Sequence, residues 1–387
     1  MRAPFALLVA ILLSACGTTP SASQAASATA STRGSVAASA QSGPLVRLVV
    51  ETTAPTANQA GKIMLVSTDG RGANELSVPP GAMVLAASGS RVFIRGSDGT
   101  LQALHHDGTI ERLDIRPYRL TGFGGLVPNP AGTQWVWASQ SPDSSSQSLY
   151  VGGSGSARQL ATLTYPLVLE AYAWTPKGVV LDSLPMDFSG YRPFNTTFGA
   201  FGGVRELDVA TGTIRPLATP SHCIFSDSAA DESIACFPTS SGYLIPNQHA
   251  LRIVDPGGKT TDLSLALPRF TYVGDAFFSP DGSTLSVAGA TGSGLVSTST
   301  GPPSGNPNLE QYGTDLVKVA DGSIVRFGPS GVRPAMGRQS WLPDGRLVLW
   351  RPNAIGGSPG LYVMTPYSTA PGAEIETSGT PIGFLTG

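Results

Sequence analysis

Ser358 is the residue whose neighbours come nearest to a catalytic motif. It lies in Gly356-Gly357-Ser358-Pro359-Gly360, which matches the Gly-x-Ser-x-Gly pattern of serine hydrolases. That pattern exposes its nucleophile when a strand precedes the serine and a helix follows it. Here the residues from Leu361 to Thr365 read as a strand. We therefore interpret Ser358 as part of a loop between two strands.

The run His105-His106-Asp107 carries three side chains of types that ligate metals. Neighbouring residues of a hairpin point to opposite faces, so these three make a poor chelate. His222 and His249 have no metal-binding spacing, and the Asp-Gly pairs along the chain do not form a calcium loop. The sequence therefore predicts turns at these positions, with no metal, no cofactor and no catalytic residues.

The N-terminal residues predict export. A positive charge at Arg2 precedes an apolar stretch from Ala3 to Leu13, and small residues lead to Cys16. This order is typical of a bacterial lipoprotein signal. We predict that residues 1–15 are a signal peptide and that Cys16 is lipidated. The alternative is a buried N-terminal helix with a cysteine there by chance.

The segment 16–44 is rich in Ser, Ala and Thr, and Arg33 is its one charged residue. It buries too little apolar surface to fold, so we predict a disordered tether. The protein is then expected in the periplasm or at the cell surface, held to a bacterial membrane by its lipid anchor.

Cys223 and Cys236 remain as an even pair in a chain that is predicted to be exported. If residues 223–226 and 233–237 pair as a hairpin about Ala229-Ala230, the two cysteines lie directly opposite each other, close enough for a disulfide. We predict that bond, and two buried free thiols are the alternative.

The composition indicates many short strands. The 387 residues include 47 glycines and 32 prolines, which suits strands joined by turns and does not suit a helical bundle. The formal net charge is −2, so no nucleic acid is expected as a partner.

One short pattern recurs along residues 45–387: a strand, a turn with Pro and Gly, and a second strand. It is clearest in Phe277-Phe278-Ser279-Pro280-Asp281-Gly282 and Ser340-Trp341-Leu342-Pro343-Asp344-Gly345, with a looser copy at Ala173-Trp174-Thr175-Pro176-Lys177-Gly178. Pro presets the backbone of such a turn, and Gly accepts a positive φ later in it. The aromatic residue before each turn recurs at a fixed position, so we expect it to pack between neighbouring repeats.

A second hairpin in each repeat gives four strands a unit, and the units recur about every 50 residues, as in propellers. We predict an all-β fold, a β-propeller of seven four-stranded blades, and a pair of β-sandwiches is the alternative. The predicted units are 45–80, 81–117, 118–165, 166–220, 221–268, 269–330 and 331–378. The first unit lacks an inner strand, which the segment from Thr380 to Thr386 is predicted to supply, closing the ring.

The Phe/Trp-x-Pro-Asp-Gly turn between two strands resembles the TolB-like family of WD-type β-propeller repeats. The resemblance covers most of residues 45–387 and is sharpest in 269–330 and 331–378. It implies a propeller that acts as a scaffold or binding protein. It implies no catalytic residues, because the shared motif is a turn. The chain departs from the family in its lipoprotein signal and in lacking a separate N-terminal α/β domain, so the family's envelope partners do not carry over.

Two insertions, from Met186 to Gly202 and from Thr291 to Gly313, fall between the second and third strands of their units. The first insertion concentrates five aromatic residues: Phe188, Tyr191, Phe194, Phe198 and Phe201. Exposed aromatic loops on a rigid scaffold favour binding. We predict a ligand site there, on one propeller face beside the mouth of the central channel. The alternative is that the rings fold back and cover that mouth.

These features favour a monomeric, non-catalytic binding or scaffold lipoprotein whose partner is an envelope protein or a glycan. The alternative is an exported propeller enzyme of the glycan lyase or hydrolase type, with a site at the channel mouth. A third hypothesis is a subunit that docks an envelope complex through an apolar patch on a blade rim. Carboxylates, His or Arg in the channel would favour the enzyme, whereas Ser, Gly and apolar groups would favour binding.

Overall fold

The computed structural model describes thirteen parts of the folded chain. They are 46–113, 115, 126–141, 145–153, 156–164, 168–184, 203–217, 223–238, 250–264, 270–293, 308–352, 359–369 and 372–386. Within these ranges the regular elements are β-strands. No helix able to span a membrane occurs in them.

The described strands form seven antiparallel sheets of four, which confirms the predicted seven-bladed propeller. Blade 1 consists, from its inner to its outer strand, of Thr380–Thr386 (β28), Val46–Thr53 (β1), Gly61–Ser67 (β2) and Ala73–Val78 (β3). Blade 2 consists of Met83–Ser88 (β4), Arg91–Arg95 (β5), Leu101–His105 (β6) and Ile110–Arg112 (β7). Blade 3 consists of Leu126–Pro128 (β8), Gln134–Gln140 (β9), Ser146–Gly153 (β10) and Ser156–Thr164 (β11).

The other four blades follow the same order from inner to outer strand. Blade 4 consists of Val168–Trp174 (β12), Val179–Leu184 (β13), Val204–Leu207 (β14) and Ile214–Pro216 (β15). Blade 5 consists of Cys223–Ser228 (β16), Ile234–Pro238 (β17), Ala250–Val254 (β18) and Thr260–Ser264 (β19). Blade 6 consists of Tyr272–Phe278 (β20), Thr284–Ser293 (β21), Asn308–Lys318 (β22) and Ile324–Phe327 (β23). Blade 7 consists of Arg333–Pro334 (β24), Leu347–Arg351 (β25), Gly360–Met364 (β26) and Ala373–Glu376 (β27).

The C-terminal strand closes the ring, as the sequence predicts. Strand β28 pairs with β1, so that Val46 lies opposite Thr386 and Glu51 lies opposite Thr380. The inner strands of neighbouring blades contact each other, for example β28 with β4 and β16 with β20. Closure pairs two strand edges that would otherwise be exposed.

The seam between two neighbouring blades is the main site of apolar burial. Each of the seven seams contains one cluster of buried apolar side chains drawn from both blades. Trp174 lies in the seam between blades 3 and 4, Phe278 between blades 5 and 6, and Trp341 between blades 6 and 7. Their predicted role in packing between repeats is confirmed.

The predicted Pro-Asp-Gly turns are present and have a common hydrogen bond. Asp281 accepts from the N–H of Ser283 at 3.1 Å, and Asp344 accepts from the N–H of Arg346 at 3.1 Å. The glycine between each pair has a positive φ, 72° at Gly282 and 80° at Gly345. These bonds are local, so each turn is specified by residues close together in the sequence.

Blade 7 departs from the prediction of a regular strand before its Pro-Asp-Gly turn. Trp341 pairs only as a single bridge with Leu347, and the inner strand β24 holds two residues. The chain between them is coiled because Ser340 donates its N–H to the carbonyl of Gly337 at 3.0 Å, and Gly337 has a φ of 59°.

The predicted insertion 291–313 is also shorter than expected. Its two ends are strand residues, since β21 extends to Ser293 and β22 begins at Asn308. The ladder continues outward here, with Ser293 opposite Asn308. Residues 294–307 lie outside the described ranges.

The predicted disulfide between Cys223 and Cys236 is present, with the Cα atoms 5.5 Å apart. The predicted register was wrong. Cys223 lies opposite Pro238, and Cys236 lies opposite Phe225, so the cysteines are diagonal neighbours. The turn spans Ala229 to Ser233 instead of centring on Ala229-Ala230, because the N–H of Ala229 donates to the carbonyl of Ser233 at 2.8 Å.

Candidate functional site

The predicted aromatic ligand site lies outside the described residues. Phe188, Tyr191, Phe194, Phe198 and Phe201 all fall in 185–202, between β13 and β14. Cys16 and Ser358 also lie outside the described ranges. The strand predicted after Ser358 is present as β26.

The His105-His106-Asp107 run forms a turn, as predicted. His105 lies 3.2 Å through Nε2 from Oε2 of Glu111, and Asp107 accepts from the N–H of Thr109 at 2.9 Å. Among the described residues, no group of three His, Cys, Asp or Glu side chains is placed to hold a metal ion.

Charged side chains meet near the inner strands of blades 5, 6 and 7. Asp227 of β16 accepts through Oδ2 from the N–H of Phe278 at 2.8 Å, and its Oδ1 lies 3.7 Å from Nη1 of Arg338. Asp275 lies at a bulge in β20 with a φ of 51°. Carboxylates and an arginine are the side chains that would favour the enzyme hypothesis.

Both carboxylates are covered, however. Asp227 is 0% exposed and Asp275 is 1% exposed. Burial raises the pKa of Asp227 to about 6, although Arg338 and the N–H of Phe278 favour its ionised form. Because Asp227 bonds the backbone of the next blade, it connects blades 5 and 6, and its side chain is shielded from solvent.

An open concave site formed by described residues is a groove of about 530 Å³ at the seam between blades 3 and 4. We call it the blade 3–4 groove. Its blade 3 wall comes from the ends of β9, β10 and β11, and its blade 4 wall comes from the β12–β13 and β14–β15 turns. The lining residues are Gln134, Val151, Gly152, Gly153, Ser156, Arg158, Trp174, Thr175, Pro176, Lys177, Gly178, Asp208, Val209 and Ala210.

Trp174 is the aromatic residue of the groove. Its ring packs partly on the apolar cluster between blades 3 and 4, which includes Val151 and Leu207, and the ring stays half-buried. The equivalent residue between blades 6 and 7, Trp341, is 5% exposed. The groove therefore leaves part of a tryptophan ring accessible where the other seam covers it.

Arg158 bridges the two walls. It donates through Nη2 to the carbonyl of Val209 at 2.6 Å and to the carbonyl of Ala210 at 3.2 Å. These bonds use two of the five guanidinium N–H groups and leave three donors. The arginine is therefore held in place and can still bind a ligand.

Asp208 supplies an acceptor on the blade 4 wall. It accepts from the hydroxyl of Thr211 and from the N–H of Ala210, each at 2.8 Å. These bonds, led by that of Thr211, hold its pKa below the ordinary value, so Asp208 is ionised at neutral pH.

Lys177 is held at the rim by an ion-pair network. Its Nζ lies 2.8 Å from Oε1 of Glu232, which also pairs with Arg215 at 2.6 Å, and Arg215 reaches Glu206 at 2.7 Å. Lys177 and Arg215 are about half exposed, so the network orders the rim more than it stabilises the fold.

Side-chain size keeps the groove open. Between blades 6 and 7, Tyr367 places its hydroxyl 3.3 Å from Oγ1 of Thr284, and Nζ of Lys318 lies 5.3 Å from its ring. In the strand ladder of blade 6, Lys318 lies opposite Thr284, just as Gly153 lies opposite Gln134 in blade 3. Gly153 therefore occupies the strand position in blade 3 that Lys318 occupies in blade 6.

Tyr367, whose ring lies beside Lys318, also has a counterpart in blade 4. Met364 in blade 7 and Leu207 in blade 4 occupy the same position, because each lies opposite the first residue of the second strand of its blade. Tyr367 follows Met364 by three residues, and Ala210 follows Leu207 by three, so Ala210 is the counterpart of Tyr367. Glycine and alanine thus stand where the closed seam has lysine and tyrosine.

Sequence reasoning missed this groove because its residues are unremarkable one at a time. The signal that could have found it is an alignment of the repeats against each other, which sets Gly153 against Lys318 and Ala210 against Tyr367. It also requires knowledge that these two positions meet across a seam.

The comparisons with known proteins concern the fold. No protein family and no curated protein matches this chain by sequence. An oligogalacturonate lyase in complex with manganese is similar in structure, with a TM-score of 0.51 and 12% identity over 84% of this chain and 91% of that chain. A protein from Lactobacillus plantarum has a TM-score of 0.50 and 11% identity, over 88% of this chain and 98% of that chain.

TolB from Acinetobacter baumannii also matches, with a TM-score of 0.39 and 15% identity over 73% of this chain. This chain covers 62% of the length of that TolB chain. At these identities the likeness describes the fold alone.

Proposed function

We propose that this chain is an exported, lipid-anchored propeller that binds a component of the cell envelope and catalyses no reaction. The binding role is carried by the blade 3–4 groove, which is open and combines part of an aromatic ring with donors and acceptors. A volume of about 530 Å³ falls within the range of about 300–1,000 Å³ that is usual for ligand sites. The covered state of Asp227 and Asp275 supports binding over catalysis.

Export and anchoring are supported by the N-terminal sequence, with Cys16 as the acylated residue. The aromatic residues of the 186–202 insertion remain a predicted second contact for the partner. As a monomeric receptor, the propeller would offer its partner a rigid surface.

The binding role is tested by filling the groove. Ala210→Tyr adds the ring that closes the seam between blades 6 and 7. Ala320 is the exposed alanine at the same turn position of blade 6, so Ala320→Tyr is the matched control. The full-length protein and both variants are immobilised and incubated with solubilised envelope, and the captured protein and carbohydrate are measured.

We expect Ala210→Tyr to lose most of the captured material and Ala320→Tyr to retain it. Equal capture by all three proteins would remove the groove from the binding site. Shortened glycan products in the wild-type sample would replace binding with the enzyme hypothesis. Mass spectrometry of the mature N-terminus, with Cys16→Ser as the control, tests the lipid anchor separately.

A further inference from the structure

We infer that the blade 3–4 groove takes an uncharged oligosaccharide, with one sugar ring lying against Trp174. This inference rests on the proposed binding function and names the ligand class. It follows from the ring, the hydrogen-bonding groups and the charge balance of the groove.

The first observation is the half-buried tryptophan. Trp174 is fixed from below by the seam cluster and partly exposed in the groove. A pyranose ring has a face of C–H groups that is apolar and flat enough to cover such a ring. Burying that face against a fixed indole gains apolar contact at little cost in side-chain entropy.

The second observation is that donors and acceptors surround the ring. A sugar hydroxyl both donates and accepts. Arg158 has free N–H donors, Asp208 is an ionised acceptor, and the exposed Gln134 offers both. Arg158 and Asp208 are each held by hydrogen bonds to the blade 4 turn, so they are preorganised for a ligand.

The third observation is the balance of charge. The lining contains two cations, Lys177 and Arg158, and one carboxylate, Asp208. Lys177 is also paired with Glu232 at the rim, so the formal charges of these four side chains cancel. A strongly charged ligand would gain little net attraction in such a site. The groove therefore suits a ligand that has many hydroxyls and no net charge.

The test uses defined neutral oligosaccharides and the full-length protein in a zwitterionic detergent. β-1,4-linked glucose tetramers and N-acetylglucosamine tetramers are titrated by calorimetry, with a set of uncharged tetrapeptides as the competing ligand class. The variants are Ala210→Tyr, Trp174→Phe and Arg158→Gln, and Ala320→Tyr is the control. Trp174→Phe keeps an apolar ring in the seam, which separates lost stacking from lost folding.

We expect at least one tetrasaccharide to bind, with affinity lowered about tenfold by Ala210→Tyr, or about 1.4 kcal/mol. Trp174→Phe and Arg158→Gln should each weaken binding several-fold, and Ala320→Tyr should bind as the wild type does. Saccharide binding that Ala210→Tyr leaves unchanged would overturn the inference.

Two other results would also overturn it while leaving the proposed function intact. One is the absence of saccharide binding although capture from envelope extract still depends on Ala210. The other is groove-dependent binding of the tetrapeptides alone. Loss of both saccharide binding and groove-dependent capture would refute the inference and the proposed function together.

Discussion

The seams between blades 6 and 7 and between blades 3 and 4 show how one repeat gives two different surfaces. Both have a tryptophan before the Pro-Gly turn, Trp341 in one and Trp174 in the other, and both have an apolar cluster beneath it. At the first seam Tyr367 contacts Thr284 of the neighbouring blade, and Nζ of Lys318 lies 5.3 Å from its ring. Ala210 and Gly153 leave the second one open.

The difference places two small residues, Gly153 and Ala210, at the open seam where the closed seam has Lys318 and Tyr367. The order of the four strands is the same in the blades on both sides of each seam. The inner strands differ, because β12 of blade 4 holds seven residues and β24 of blade 7 holds two. In the closed seam the ring of Trp341 is almost fully packed and stabilises the fold through all of its apolar contacts. In the open seam Trp174 makes fewer packing contacts, and part of its surface is accessible.

The largest expected effect comes from breaking the ring to which both seams belong. Deletion of 380–386 removes β28, exposes one edge of β1, and takes Leu385 from the cluster between blades 1 and 2. We expect the whole domain to lose its cooperative thermal transition, measured by circular dichroism. If the deleted protein melts at the wild-type temperature, ring closure by β28 does not stabilise the domain.

Replacing each tryptophan sharpens the comparison directly. Trp341 is 5% exposed and donates through Nε1 to the carbonyl of Phe277 at 2.8 Å. Trp341→Ala should therefore lower the free energy of unfolding by about 3–5 kcal/mol. Trp174→Ala should lower it by about 1–2 kcal/mol, because part of the ring is already in solvent.

The measurement for this pair is chemical denaturation of both variants beside the wild type. Equal losses of stability would mean that Trp174 is as fully packed as Trp341. The groove would then have no accessible aromatic surface.

A third effect concerns the covered carboxylate of Asp227 in blade 5, which should affect stability and not ligand capture. Burial raises the pKa of Asp227 to about 6 from 3.8. Between these values the unfolded chain loses the proton while the folded protein keeps it. The stability from this group is therefore greatest below pH 4 and is lost as the pH rises to 6, by up to about 1.4 kcal/mol for each pH unit.

Asp227→Asn removes that titration and keeps an oxygen acceptor for the N–H of Phe278. We expect the stability of the wild type, relative to this variant, to fall between pH 4 and pH 6 and to level off above pH 6. Thermal melts across that range check it, and parallel curves for the two proteins would show that Asp227 keeps an ordinary pKa. Envelope capture by Asp227→Asn should equal that of the wild type.

The fold could be predicted from the sequence because its signals are local and repeated. The turns at Gly282 and Gly345 each predict a hairpin from about six residues of sequence. The segment 380–386 reads as a strand that belongs to none of the seven units, and it matches the strand missing from the first unit. The disulfide pair followed from counting cysteines. Its register did not, because the turn spans Ala229 to Ser233 and so moves every pair of the ladder away from the predicted register.

The candidate site could not be predicted in this way. Gly153 and Ala210 are distant in sequence, and neither carries a chemical signature. Their effect depends on an absent side chain at one position and a small one at another, which meet only after two blades have packed. The 186–202 insertion gives a stronger local signal, because five aromatic residues lie close together in its sequence.

The pairing of β1 on both sides has a mechanical consequence. Hydrogen bonds to β28 and to β2 run across the strand, and Val46 is held beside Thr386 at one end of it. A force applied to the chain just before Val46 would pull β1 lengthwise, so both ladders would be loaded in shear. Many bonds would then have to break together, whereas peeling breaks them one after another. A protein held by its N-terminal segment would thus carry tension at a strand that is paired along both of its edges.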